Sequence, residues 1–169
     1  SMGDVISGTR MASNEKGWTW TALRKINYYL ANSHNCTDEA VRTKYDGVAY
    51  FFRAYFYYEK VLRYGDVPWY DIQLGSADEL LYKPRDSREL ILTKMLEDID
   101  YAINSGGLTE SAADPYHVNK WAALALKAQF CLYEGTYRKY HRVDPSTGKA
   151  WDPEYNRSEE RRVGKECRS

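Results

Sequence analysis

Apolar side chains recur along most of this chain at intervals of three and four, the spacing that gathers them on one side of an α-helix. Leu23, Ile26, Tyr29 and Leu30 mark a first stretch and predict a helix from residue 19 to about 32, broken by Asn32-Ser33-His34-Asn35. A longer stretch, from about residue 38 to 63, carries Val41, Tyr45, Val48, Phe52, Tyr55, Phe56 and Leu62 as its expected buried stripe. Tyr50, Tyr57 and Tyr58 widen this belt beyond one face, and a helix apolar on most sides packs between neighbours. Thr37 or Asp38 can cap its first turn with a side-chain oxygen. Gly47, inside the helix, costs about 1 kcal/mol against alanine and points to a close helix crossing. Gly65 can take the left-handed conformation that closes a helix, and Pro68 prevents its continuation.

Leu90, Ile91, Met95, Ile99 and Ala102 predict a third helix that starts at Asp86 or Ser87 and ends at Ser105-Gly106-Gly107. Asp86 and Glu89 stand at capping-box spacing. A fourth helix is expected from about residue 118 to 140, with Ala122, Ala125, Leu126, Gln129, Leu132 and Tyr133 inward or nearly so. Ala122, Ala123, Ala125 and Ala128 let a neighbour approach closely. Between the second and third helices a loop of about twenty residues passes Trp69-Tyr70 and Tyr82-Lys83-Pro84, and connections of that length are usually anchored or functional. Val67-Pro68-Trp69-Tyr70 is too short for a strand, and its proline bars a central one. The predicted fold class is all-α, with about four main helices in antiparallel pairs, TPR-like but without the strict ~34-residue TPR pattern.

Length and charge narrow the field. The 169 residues suit one domain, and 43% hydrophobic content is enough for a core. A formal net charge of zero supplies no footprint for nucleic acid or an anionic membrane surface. No apolar run approaches the roughly 18 residues that span a bilayer. No signal peptide is legible, and Ser1-Met2-Gly3 looks like a cloning scar or an internal cut, so the compartment stays open. Cys36, Cys131 and Cys167 are too few and too scattered for a disulfide framework. The segment from Asn156 to Ser169 changes composition abruptly, with Val163 its one apolar aliphatic residue. Residues 158–169 resemble a translated vector or adapter sequence, a native solvated tail being the alternative, and 1–157 is taken as the helical region.

The aromatic content, 15% with 16 Tyr and 5 Trp, changes the picture most, because these side chains join a broad apolar face to a polar handle. Such faces pack on sugar C–H groups while a few polar groups fix orientation. Trp18 and Trp20 alternate before the first helix, which puts both on one side of an extended segment. Trp20 also fits a core role stapling the helix start, which leaves Trp18 the better ligand candidate. Trp69 and Tyr70 either line a site or cover helix ends. Arg53, flanked by aromatics, reads as structural, a buried guanidinium needing helix-end carbonyls or an acidic residue of another helix.

Catalytic chemistry finds little support. His34, His117 and His141 lie far apart, without H-E-x-x-H or Cys/His zinc spacing. Glu97, Asp98 and Asp100 read as a solvated helix face. Asp144, Ser146 and Gly148 have a faint calcium-loop look, but the EF-hand glycine position and terminal glutamate are missing, so the segment reads as a turn. No catalytic residue, metal site or cofactor is expected.

Several motifs carry a family resemblance. Gly47-Val48-Ala49-Tyr50-Phe51-Phe52-Arg53-Ala54-Tyr55-Phe56-Tyr57-Tyr58, followed by Arg63-Tyr64-Gly65-Asp66-Val67-Pro68, resembles the E-A-x-F-L-R-A-Y-x-Y … Y-G-x-V-P-L signature of the SusD/RagB family. Arg85-Asp86-Ser87-Arg88-Glu89 with Glu97-Asp98-Ile99-Asp100-Tyr101-Ala102 resembles that family's R-x-S-x-E … D-L-x-x-A. Asn119-Lys120-Trp121-Ala122-Ala123-Leu124-Ala125-Leu126-Lys127-Ala128, with Leu132-Tyr133-Glu134-Gly135-Thr136, matches the helix that follows. The matches keep the family's order across residues 20–141. Val48 departs from the usual Glu and Trp69 from the usual Leu. The first touches on an ion pair around Arg53, and the second puts an extra aromatic on a loop.

The resemblance implies the TPR-bearing N-terminal part of a longer protein, without the lipid-attachment cysteine that precedes it in the family. Such proteins are surface-exposed outer-membrane lipoproteins of Bacteroidota. They bind oligosaccharide or polysaccharide, in some members peptides, and pass it to a SusC-type TonB-dependent transporter. By resemblance the helical scaffold faces the transporter, and contact with the membrane runs only through the lipid anchor. A generic TPR-like protein-interaction module without a sugar site is the main alternative. An α-helical glycosidase domain is a third reading, and it predicts paired carboxylates in a cleft.

Overall fold

The computed structural model describes residues 17–75, 77–111, 116–145 and 147–151. The expectations for residues 1–16, Ser146, Cys167 and the tail at 158–169 lie outside them. Four α-helices make the fold: α1 (Thr21–Asn32), α2 (Glu39–Tyr64), α3 (Arg88–Asn104) and α4 (Lys120–His141). Each packs on the next in sequence, α2 on α3 most extensively, and α2 also touches α4. This is the expected all-α, TPR-like succession of antiparallel pairs. Among the described residues extended pairing is limited to the isolated bridges Val67–Asp86 and Val143–Ala150.

The helix ends follow local chemistry. Asp38 accepts the Val41 N–H at 3.1 Å, Ser87 that of Leu90 at 3.3 Å, and Asn119 that of Ala122 at 2.9 Å. Each side chain thus takes one of the backbone donors that a first turn leaves without a helical partner. Asp86 is not the cap of α3. Its carboxylate instead accepts the Trp69 N–H at 2.7 Å and pairs with Lys83 at 2.7 Å, which fastens the long loop at both ends. Gly65 closes α2 with φ 69°. The Asp144 to Lys149 segment is a turn: the Gly148 N–H donates to the Asp144 carbonyl at 2.7 Å, with Gly148 at φ 70°.

Gly47 does not mark a helix crossing. It lies against Leu108 and Ser105, just past the end of α3. The closest backbone approach is at Gly107, where an added Cβ would collide with the Thr43 carbonyl of α2.

The core is built from Leu23 of α1; Ala54, Tyr57, Tyr58 and Val61 of α2; Ile91, Leu92, Met95, Ile99 and Ala102 of α3; and Ala123, Leu126 and Phe130 of α4. The predicted stripe of α2 is therefore corrected. Val41, Tyr45, Phe52, Tyr55 and Leu62 are exposed, Phe52 at 43%, while Val48 and Phe56 are partly buried. The inward row is Gly47, Ala49, Arg53, Ala54, Tyr57, Tyr58, Lys60 and Val61. Both rows of α2 are apolar enough to bury, but the row with the small residues Ala49 and Ala54 is the one turned inward, and it brings Arg53 to a carboxylate. In α4, likewise, Ala125, Gln129 and Leu132 face outward, and Ala123, Lys127, Phe130, Cys131, Glu134 and Arg138 face in. Leu90 of α3 is exposed.

Asp98 and Asp100 are not a solvated face. The Asp98 carboxylate accepts two bonds from the Arg53 guanidinium, at 2.7 and 2.6 Å, between α3 and α2. Asp100 takes the buried Lys127 ammonium of α4 at 2.7 Å. Glu97 alone of the three stays on the surface, paired with Lys94. A further buried carboxylate, Glu134, bridges Arg88 at 2.7 Å and Arg138 at 2.8 Å, tying α3 to α4.

Candidate functional site: an aromatic cavity at the start of the first helix

The Arg53–Asp98 pair also shapes the loop beyond α2. Arg53 reaches the side-chain oxygen of buried Asn27 at 3.4 Å. The Asn27 amide then donates to the carbonyls of Tyr70 and Ile72, at 2.9 and 3.1 Å. From the other side, the Tyr57 hydroxyl accepts the Tyr70 N–H at 2.6 Å and lies 3.3 Å from the Pro68 carbonyl. Residues 68–72 are thus held by buried polar groups of α1 and α2. Burial holds the Tyr57 hydroxyl far above the ordinary phenol value, so at neutral pH it keeps its proton.

Adjacent side chains on an extended segment point to opposite sides. Trp69 turns inward: it is 6% exposed, stacks on the Tyr57 ring at 4.2 Å and lies 5.4 Å from the Arg53 guanidinium. It anchors the loop and does not line the cavity bordered by Trp18, Trp20 and Tyr70. Tyr70 turns the other way, and its hydroxyl donates to the Leu81 carbonyl at 3.1 Å.

Tyr70 meets Trp20 edge to face at 5.4 Å, and Trp20 meets Trp18 at 5.2 Å. Trp20 is partly buried and also packs on Phe56 and Tyr57. Trp18 is 41% exposed, set against Tyr64 at 4.8 Å, with the Arg85 guanidinium 5.2 Å from its ring. Beneath them Lys60 is buried against Trp20, Phe56 and Tyr64 and donates to the Gly17 carbonyl. That burial lowers the Lys60 pKa.

Trp18, Trp20 and Tyr70 border a cavity of about 340 Å³. One wall is Thr21, Leu23, Arg24 and Asn27 of α1, and the other is Pro68, Tyr70, Ile72, Leu74, Gly75 and Leu81; Trp18 and Trp20 close one end. The volume falls in the roughly 300–1,000 Å³ range of small-molecule sites. Flat aromatic faces, a backbone amide segment and one guanidinium suit a ligand with apolar C–H faces and many hydroxyls. Arg24, Asn27, Ile72, Leu74 and Leu81 were not singled out by sequence reasoning. Asn27 was within reach of it: a polar residue four positions after the core Leu23 shares its face, and a polar group on such a face signals an internal partner.

A second concave surface lies between α1 and α2. Ile26 and Tyr29 face Tyr45, Val48, Phe52, Tyr55 and Phe56 across about 610 Å³. It is the open side produced by the inverted orientation of α2. Among the described residues, no group of His, Cys, Asp and Glu side chains is arranged to hold a metal ion. No described helix is long and apolar enough to cross a membrane.

Fold and cavity define the class as an all-α, TPR-like scaffold that holds an aromatic-lined loop site. The chain is similar in sequence and fold to SusD-like proteins over part of its length. No family profile matches it. Over 96 residues, 56% of the chain, it is 35% identical to SusD-like protein P38 of Formosa agariphila. It overlays a solved SusD-like protein of Bacteroides fragilis with a TM-score of 0.60 at 32% identity, covering 68% of this chain and 22% of that one. The surface glycan-binding protein A of Bacteroides fluxus shares the fold, with a TM-score of 0.58 at 20% identity, covering 76% of this chain and 28% of that one. The chain spans 18% of the length of the curated relative it matches.

Proposed function

We propose that this chain belongs to a cell-surface nutrient-binding protein and that the cavity at Trp18, Trp20 and Tyr70 takes up an oligosaccharide. The observation that carries the reading is the convergence of these rings on one cavity whose polar wall is held by Asn27 and Tyr57. Aromatic faces supply C–H contact, and fixed polar groups supply orientation. The glycan-binding name of the Bacteroides fluxus protein supports the ligand class. In this reading the protein captures and does not hydrolyse: it sits on the outer membrane through a lipid anchor and delivers its cargo to a SusC-type TonB-dependent transporter. Isothermal titration of the 169-residue chain against neutral and acidic oligosaccharides tests it. Binding to at least one of them, weakened by Trp18→Ala, is expected; no heat from any would reject the site.

The open apolar surface between α1 and α2 favours a second reading, a protein-interaction module. Tyr29, Tyr45 and Tyr55 line a groove of the kind that suits a peptide or a helix. The cavity at Trp18 has the polar groups a sugar requires and the groove is nearly all apolar, which is why the saccharide is assigned to the cavity.

A further inference from the structure

The cavity carries a charge. Arg24 lies one helical turn beyond Trp20 on α1 and is the one ionised side chain among the described residues of the lining. It is exposed, and no carboxylate among the described residues pairs with it. The acids nearby are otherwise placed. Asp86 is held by Lys83 and the Trp69 N–H, and Asp98 by Arg53. Asp71 sits between Tyr70 and Ile72 in sequence but does not line the cavity. Two more cations stand on its aromatic rim: the Lys83 ammonium is 5.2 Å from the Tyr70 ring, and the Arg85 guanidinium 5.2 Å from the Trp18 ring. Arg24 is thus a cation without a carboxylate partner among the described residues, beside a surface shaped for a sugar. A guanidinium is planar and presents paired donors that match a carboxylate.

Resting on the saccharide reading above, we infer that the cavity selects an acidic sugar, one whose ring bears a carboxylate, and that Arg24 receives that carboxylate. Tyr70 and the two tryptophans then take the ring faces, as they would for a neutral sugar, while Arg24 supplies the discrimination. Arg85 strengthens the positive field at the mouth, Lys83 being paired with Asp86, so the preference weakens as salt rises.

The test compares uronic-acid tetrasaccharides of the galacturonate, glucuronate and mannuronate series with their methyl esters, which keep the ring and lose the charge. The 169-residue chain is titrated with each, alongside neutral gluco- and manno-oligosaccharides of the same length. In at least one series the free acid is expected to bind about tenfold more tightly than its ester, or roughly 1.4 kcal/mol. Arg24→Gln should erase that difference. Arg42→Gln, which removes the same charge from a residue paired with Glu39 on α2, should leave it intact. Equal affinity of acid and ester in every series, or a preference that survives Arg24→Gln, overturns the inference. If neutral sugars bind without any acid preference, the saccharide site stands and this inference alone falls. If nothing in the panel binds, both fall.

Discussion

Removing Asp98 is the most demanding test of how the cavity is held. Its carboxylate takes two bonds from Arg53, at 2.7 and 2.6 Å, with the two side chains 5% and 8% exposed. Burial pushes the Asp98 pKa up, and the Arg53 guanidinium pulls against that shift. Asp98→Ala leaves the guanidinium in the α2–α3 interface with Asn27, at 3.4 Å, as its remaining hydrogen-bond partner. An uncompensated buried charge of this kind costs about 3–5 kcal/mol. Replacing both partners by apolar residues, as in Arg53→Met with Asp98→Ala, removes the stranded charge, so the double variant should lose much less than the sum of the single losses. The expected coupling is about 2 kcal/mol or more. Urea unfolding of the 169-residue chain, followed by far-ultraviolet circular dichroism, measures all four corners of the cycle. Single losses below about 1 kcal/mol, or strictly additive ones, would refute the argument that this pair is a buried, mutually dependent element.

Other consequences follow from burial and charge. Phe52→Ser should cost less than about 1 kcal/mol, whereas Phe130→Ala should cost about 3–5 kcal/mol; equal urea midpoints would mean that the orientation assigned to α2 is wrong. Gly107→Ala should lower the melting temperature and cost about 1–3 kcal/mol, because the new methyl meets the Thr43 carbonyl; an unchanged melt contradicts the close approach. The folded-state pKa of Tyr57 lies above its unfolded value of 10.0, so its contribution to stability is complete below pH 10 and is lost as pH rises beyond it. In alkaline unfolding, Tyr57→Phe should flatten the fall in stability by up to ~1.4 kcal/mol per pH unit above pH 10, and an unaltered slope counts against the burial of that hydroxyl.

The helices were legible because their signals are local. Asp38, Ser87 and Asn119 sit where a first turn wants an acceptor, Gly65 and Pro68 where a helix must stop, and apolar residues keep the helical period throughout. The burial of α2 was not legible, since Tyr45-Phe52-Tyr55 and Tyr57-Tyr58-Val61 are comparably apolar and the choice between them depends on α3 and Arg53. Asp98 looked solvated because a carboxylate on a helix gives no sign of a cation lying 45 residues earlier. The cavity was half legible. Trp18, Trp20 and Tyr70 stand out as aromatic residues near helix ends, but Arg24 and Asn27 acquire their roles only when residues 68–72 fold back against α1. Trp69 shows the limit of composition as a guide, being next to Tyr70 in sequence and on the opposite side of the chain in space.

The saccharide site is tested most directly by the indole N–H signals of the 169-residue chain in a proton–nitrogen correlation spectrum during titration with a binding oligosaccharide. The account predicts that the Trp18 and Trp20 resonances move together and saturably, assigned through Trp18→Phe and Trp20→Phe, while those of Trp121 and Trp151, on and beyond α4, stay in place. Movement confined to Trp121 or Trp151, or no saturable movement of the Trp18 signal while the sugar binds, would contradict it.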